Sequence, residues 1–254
     1  MTSPIAYKGP GILPPLDPDF VSPFLWEQAY LEQAQADPDS FTAILDILRP
    51  DRSGKRIELL SLPETGDYAP VNLFRIERLV KFLLWQVGGS FVRIDGPQAW
   101  VTALGEKYHD EGERSFDNET IGQQVYGQAL QFEKAELVDT PAPSLTSQDI
   151  GGHTEGNRIG FDLGGSDRKC VAVIDGEVVF SEEIAWSPYF ESNPGYHIDG
   201  IRDSIERAAK HLPQIDAIGG SAAGIYINNE PRIASLFRGL SPEALDGEIR
   251  PFFR

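Results

Sequence analysis

Arg158-Ile159-Gly160-Phe161-Asp162-Leu163-Gly164-Gly165-Ser166-Asp167-Arg168-Lys169-Cys170-Val171-Ala172-Val173-Ile174-Asp175-Gly176-Glu177-Val178-Val179-Phe180-Ser181 reads as three consecutive strands. Asp175-Gly176 lies between β-rich runs and is a strong hairpin signal, so residues 170–174 and 178–180 should pair antiparallel. Gly164-Gly165 likewise falls between two strands. A dinucleotide-binding loop or a P-loop would lead from a strand into a helix, and neither G-x-G-x-x-G nor G-K-[ST] is present.

A strand, an Asp, a Gly-Gly-Ser turn and a returning strand can hold a polyphosphate. Glycines without Cβ atoms let backbone N–H groups come close to phosphate oxygens, and the Ser166 hydroxyl adds a donor. Asp162 at the strand end can hold Mg²⁺ through water, because Mg²⁺ keeps much of its hydration shell. Arg168 or Lys169 supplies a cation. The glycines alone favour a plain β-turn with solvated charges, and it is Asp162 and Ser166 that shift the balance.

Downstream, Ile201, Ile205, Ala208, Ala209 and Leu212 give one helix an apolar face. Residues 215–218 read as the next strand, followed by the small-residue cluster Gly219, Gly220, Ser221, Ala222, Ala223 and Gly224. Residues 225–237 read as a hairpin turning at Asn228-Asn229, and Ser241-Pro242 as a helix N-cap with proline at the first helical position.

The string from Asp162 to Lys169 resembles the first phosphate motif of the ROK (repressor, open reading frame, kinase) and hexokinase families, Asp-x-Gly-Gly-Thr-Asn-x-Arg, with Ser166 for Thr, Asp167 for Asn and Lys169 for Arg. The order of elements is similar to that of the actin-like ATPase (ribonuclease H-like) fold: three antiparallel strands, a helix, then a strand parallel to the first. The resemblance covers residues 158–240 and implies an α/β fold with a mixed sheet. It implies ATP and Mg²⁺ as cofactors, with Asp162, Gly164, Gly165, Ser166, Arg168 and Lys169 on the nucleotide and Asp162 on the metal. Gly219, Gly220, Ser221 and Gly224 would approach a sugar, although Ala223 stands where the family's glycine-rich sugar loop has proline, and small residues there equally suit tight strand packing. Asn228-Asn229-Glu230 is not the family's catalytic Asn-Asp pair, since it lies in a hairpin turn. By this alignment the sequence ends before the catalytic base and the adenosine lobe, so no catalytic residue is assigned.

The region before the hairpin has a different texture. Residues 1–68 are rich in proline, Asp and Ser, with helical stretches at 24–36 and near 41–48, and read as a loosely packed extension. From Val71, apolar residues recur at helical spacing until Gly88-Gly89 ends the helix. A strand at 91–94, a helix at 98–108, a solvated acidic stretch at 110–119, a helix at 119–130 and a strand at 132–138 complete a small α+β module. Residues 140–157 read as a linker. The expected domains are therefore an acidic extension plus module at 1–150, and a partial lobe at 151–254.

Both halves are acidic, with 12 basic against 23 acidic residues up to position 150 and 10 against 16 after it. That charge repels nucleic-acid phosphates and anionic membranes. It also argues against the DNA-binding branch of the ROK family, because no basic helix-turn-helix is present. Cys170 is the only cysteine, which excludes an internal disulfide or a multi-cysteine zinc site and points to a reducing cytoplasm. His153 in the linker and His197 at a helix start are explained by solvation and capping, and no metal role is assigned to either. The expected partners are a sugar and a nucleotide, and uncovered sheet edges predict self-association. Two function classes follow: a sugar kinase or its N-terminal portion, and a binding protein that keeps the fold without the chemistry.

Overall fold

The computed structural model describes residues 4–145 and 151–254. The chain divides into two compact units, Met1–Thr146 and Ser147–Arg254. The expected domain boundary at residue 150 falls on residues 146–150, outside the described residues. Each unit is α/β, with a four-stranded mixed sheet.

In the first unit, helix α1 (Pro23–Ala36) begins at the N-cap Ser22, whose hydroxyl accepts from the Leu25 N–H at 3.4 Å. Strands β1 (Phe41–Leu48) and β2 (Gly54–Ser61) pair antiparallel, and α2 (Tyr68–Gln86) follows. Strand β3 (Phe91–Asp95) pairs antiparallel with β1, and α3 (Gln98–Lys107) leads to a short α4 (Ser115–Asp117). A π-helical segment, Asn118–Val125, then precedes β4 (Gln131–Lys134), which runs parallel to β3. The sheet order is β2-β1-β3-β4. Its core joins Leu45, Ile47, Val92 and Ile94 from the sheet to Ile76, Val80, Leu83 and Leu84 of α2 and Trp100 and Leu104 of α3. Each such buried aliphatic side chain stabilises by about 1.5–3 kcal/mol.

Several expectations for this unit are corrected. Residues 41–48 form a strand, not a helix, and it is buried on both faces from Ala43 to Leu48. A run apolar except for Asp46 has no alternation to betray it. The described part of the expected extension, residues 4–68, is accordingly not loose: it supplies α1, two of the four strands, and the buried cluster Ile5, Tyr30, Ala34 and Leu62. The helix expected at 119–130 is the shorter π-helical segment, and the strand expected at 132–138 ends at Lys134. The acidic stretch is not wholly solvated. Asp117 is buried and accepts from Lys81 Nζ at 2.8 Å and from Trp85 Nε1 at 2.7 Å.

The second unit begins with β5 (Asn157–Leu163), β6 (Asp167–Ile174) and β7 (Glu177–Ala185), consecutive strands that pair antiparallel with one another. Asp175 and Gly176 both take positive φ, 48° and 88°, as the tight two-residue turn requires. Helix α5 (Pro194–Ala209) crosses to β8 (Ala217–Ala222), which pairs parallel with β5, giving the order β7-β6-β5-β8. This is the order of elements that the sequence predicts. Strands β9 (Ile225–Ile227) and β10 (Glu230–Ile233) make a separate hairpin through Asn228 and Asn229, both at positive φ. Ser241 caps the next helix by accepting from the Ala244 N–H.

Helix α5 covers one face of the sheet. Ile159, Cys170 and Ala172 pack with Ala208 and, at the margin, Ile205, Phe180 and Ile184. Leu163, Trp186, Ile201, Leu236, Phe237 and Ile249 continue this layer. His197 needs correction here. It is fully buried, with its ring nitrogens 3.3 Å from the Asn193 carbonyl oxygen, 3.2 Å from that of Pro188 and 3.1 Å from that of Leu236. It braces the entry to α5 and is not a solvated cap.

Candidate functional site

Strand alternation sorts the motif residues onto two faces. The register pairs Asp162 with Lys169 on β6 and with Ser221 on β8, and Lys169 with Glu183 on β7. These four side chains share the face away from α5, over a floor of Gly160 and Gly219. They line an open cavity of about 580 Å³ together with Val171, Ser181 and Gly220. Asp162 and Lys169 of the first motif thus meet Gly219, Gly220 and Ser221 of the second glycine cluster in one place.

The expected position of that second cluster shifts. Gly219, Gly220 and Ser221 lie within β8, and the strand begins at Ala217, not at residue 215. Gly220 is small for a packing reason: a Cβ there would overlap the ring of Phe161, its partner on β5. Gly224 lies outside the cavity lining. Its φ of 150° and its tight approach to Ile233 and Ala234 serve the entry to the β9–β10 hairpin.

Charges on the open face are partly spent on one another. The Ser221 hydroxyl donates to Asp162. Lys169 Nζ donates to Asp167 Oδ1 at 2.5 Å and lies 3.9 Å from Glu183. The Ser166 hydroxyl donates to Asp167 Oδ2 at 2.9 Å. The Lys169 ammonium, then Ser166, hold the Asp167 carboxyl below its ordinary range, and Asp167 raises Lys169 in turn.

Arg168, one residue away, points to the other face. It is buried, with Nη2 donating to Asp203 at 2.5 Å and Nη1 to Ser204 Oγ at 2.6 Å. Arg207 joins this chain, with Nε 2.8 Å from Asp203 and Nη1 3.1 Å from Glu182, which clamps α5 onto β6 and β7. Hydrogen bonds from Arg207, then Arg168, hold the Asp203 carboxyl low. Of the two candidate cations, Lys169 is therefore the one on the cavity side. Cys170 is buried on the α5 face, where desolvation pushes its thiol up.

The turn itself is built with a fixed polarity. Its Gly164 N–H donates to the Asp167 carbonyl at 2.9 Å, closing the loop. Trp186, just beyond β7, then takes two of its oxygens: the backbone N–H donates to the Ser166 carbonyl at 3.0 Å and the indole Nε1–H to the Gly164 carbonyl at 2.8 Å. The N–H groups of Gly165 and Ser166 have no partner among the described residues. A turn with two of its carbonyls tied back and successive N–H groups free is a concavity suited to an anion. It sits beyond the carboxyl end of β5, beside the end of the parallel strand β8, where ligands of open α/β sheets bind.

No group of three or more His, Cys, Asp or Glu that could hold a metal by itself occurs among the described residues. One or two carboxylates with phosphate oxygens and water suffice for Mg²⁺, and Asp162 on the open face fits that lesser demand. Trp186 is the contributor that sequence reasoning missed. Its position directly after β7 was the available signal, since a strand beside a turn can return its next residue to that turn.

No family model matches the chain, and no curated protein matches it. A solved exopolyphosphatase from Cytophaga hutchinsonii aligns with 74% of this chain at 8% identity and a TM-score of 0.23. The chain spans 65% of the length of that structure. No helix among the described residues is long and apolar enough to cross a membrane.

Proposed function

We propose that the second unit is a phosphate-binding domain of the actin-like ATPase type, similar to the first lobe of ROK sugar kinases, which takes the phosphates of Mg·ATP on the Gly164-Gly165-Ser166 turn for transfer to a sugar hydroxyl. The observation that carries this is the turn's polarity: the Gly165 and Ser166 N–H groups are free while Trp186 occupies the carbonyls of Gly164 and Ser166. Lys169 adds positive charge at the cavity wall. Asp162 would hold Mg²⁺ through water, and the metal would supply charge neutralisation for the phosphates. The sugar, on this reading, lies against Gly219, Gly220 and Ser221.

A second reading, binding without turnover, is favoured by one feature. The Ser166 hydroxyl is engaged by Asp167, which stands where the resembled motif has Asn and places a carboxylate beside the turn. Calorimetry of the chain with Mg·ATP and with magnesium tripolyphosphate, alongside ATP-dependent phosphorylation of a panel of hexoses and amino sugars, separates the two. Saturable binding lost in Asp162→Ala supports the phosphate site, and turnover selects the kinase. If neither nucleotide nor tripolyphosphate binds, the proposal fails.

A further inference from the structure

Tyr189 borders the same turn and Arg238 stacks on Tyr189, and neither belongs to the Asp162–Lys169 motif. The Tyr189 ring lies on Gly165 so closely that a Cβ on that glycine would overlap its phenol carbon and oxygen. The Arg238 guanidinium stacks on the Tyr189 ring at 4.2 Å from its centroid and on Phe190 at 4.6 Å. Gly239 packs against the backbone of Phe190 and Glu191, which holds the stack in place. Arg238 is exposed, and its Nε reaches only the Tyr189 carbonyl oxygen, at 3.4 Å. It has no carboxylate partner among the described residues, in a chain whose acidic residues outnumber its basic ones.

Resting on the phosphate-binding reading above, we infer that Arg238, stacked on Tyr189, is the second cation of the site and contacts the phosphates held by the Gly165 and Ser166 amides. Arg168 is committed to Asp203 and Ser204 on the far face, and Lys169 is held by Asp167. Arg238, one ring away from the turn, has both Nη groups unspent among the described residues. Its aromatic bed orients the planar group without neutralising it, so its N–H groups stay available to phosphate oxygens. The Tyr189 hydroxyl, at the lip of the turn, is placed to donate to the same ligand.

The test uses the full chain and magnesium tripolyphosphate, with Mg·ATP in parallel. Arg238→Gln is expected to weaken both ligands by about tenfold or more, the worth of a charge-assisted hydrogen bond. The thermal midpoint without ligand should move only slightly, since the side chain is exposed and loses only surface stacking on Tyr189 and Phe190. Arg238→Lys, which keeps the charge but not the stacked planar fork, should bind with an affinity between those of the parent and Arg238→Gln, and the Arg238→Gln affinity should depend less steeply on ionic strength than the parent. Wild-type binding with Arg238→Gln equal to it overturns the assignment and leaves the phosphate site standing. Arg238→Lys as weak as Arg238→Gln also overturns it, because the stack and not the charge would then matter. No binding by the wild type refutes the phosphate reading, and the role of Arg238 falls with it.

Discussion

Arg168→Met separates a structural from a ligand-binding role for the arginine of the motif. Methionine keeps an unbranched stem that fills the space of the aliphatic part, so the change mainly removes the guanidinium. Two bonds go: Nη2 to Asp203 at 2.5 Å and Nη1 to Ser204 Oγ at 2.6 Å. Hydrogen bonds to charged groups contribute about 1.5–3 kcal/mol each, and neutral ones about 1. Two facts reduce the loss. Asp203 retains Arg207 and its side chain is 40% exposed, while Ser204 keeps the Gly200 carbonyl at 3.2 Å. The net destabilisation expected is about 2 kcal/mol after discounting the exposed carboxylate. Urea unfolding followed by far-UV circular dichroism should show a lower midpoint at unchanged slope, with Mg·ATP affinity at the wild-type level. A loss of affinity of about tenfold, or 1.4 kcal/mol, with an unchanged midpoint would refute the reasoning, since it would mean that Arg168 serves the ligand and not the α5 clamp.

Three further outcomes are expected. Gly165→Ala drives a methyl into the far end of the Tyr189 ring and should cost about 1 kcal/mol, the low end for overpacking, because the half-buried Tyr189 can give way; adding Tyr189→Ala should recover part of it, and a double-mutant cycle with no coupling would contradict the contact. Asp46→Ala breaks the buried pair with Arg56, whose Nε lies 2.8 Å from Asp46. Arg56 keeps the carbonyl oxygens of Leu137 and Thr140, so denaturation should register about 3 kcal/mol, the low end for a broken buried pair. For pH, the Asp203 carboxyl is depressed by Arg207 and Arg168 in the folded state. Its contribution is present above the ordinary carboxylate value of about 3.9 and is lost as pH falls below that toward the folded value. The urea midpoint of Asp203→Asn should therefore decline less steeply below pH 4 than that of the parent, and parallel curves would count against this.

The strands and hairpins of the second unit were legible because their signals are local. Asp175-Gly176 demands a left-handed turn wherever it occurs between apolar runs, and α5 shows its apolar stripe in sequence. Strand β1 was not legible, because Ala43 to Leu48 are all buried between two neighbouring strands and so display neither period. The cluster at 219–221 reads from composition equally as a ligand loop or as small residues for tight strand packing, and the smallness of Gly220 answers to the Phe161 ring on a strand 59 residues away by register. Arg168 and Lys169 are equivalent as adjacent cations in the sequence, and only strand alternation sends one to α5 and the other to the cavity. Tyr189 and Arg238 meet through tertiary packing that no spacing encodes.

The tie between Trp186 and the carbonyls of Gly164 and Ser166 has a consequence for ligand ionisation. A turn that offers two backbone hydrogens while two of its oxygens are occupied favours a bare phosphate oxygen over a P–O–H group. The second proton of a phosphate monoester leaves near pH 6, at about that value in water. A ligand with a terminal monoester should therefore bind more tightly as pH rises through that point, whereas a diester, with no such proton, should not. Removing the indole N–H in Trp186→Phe frees the Gly164 oxygen to accept and should blunt that preference.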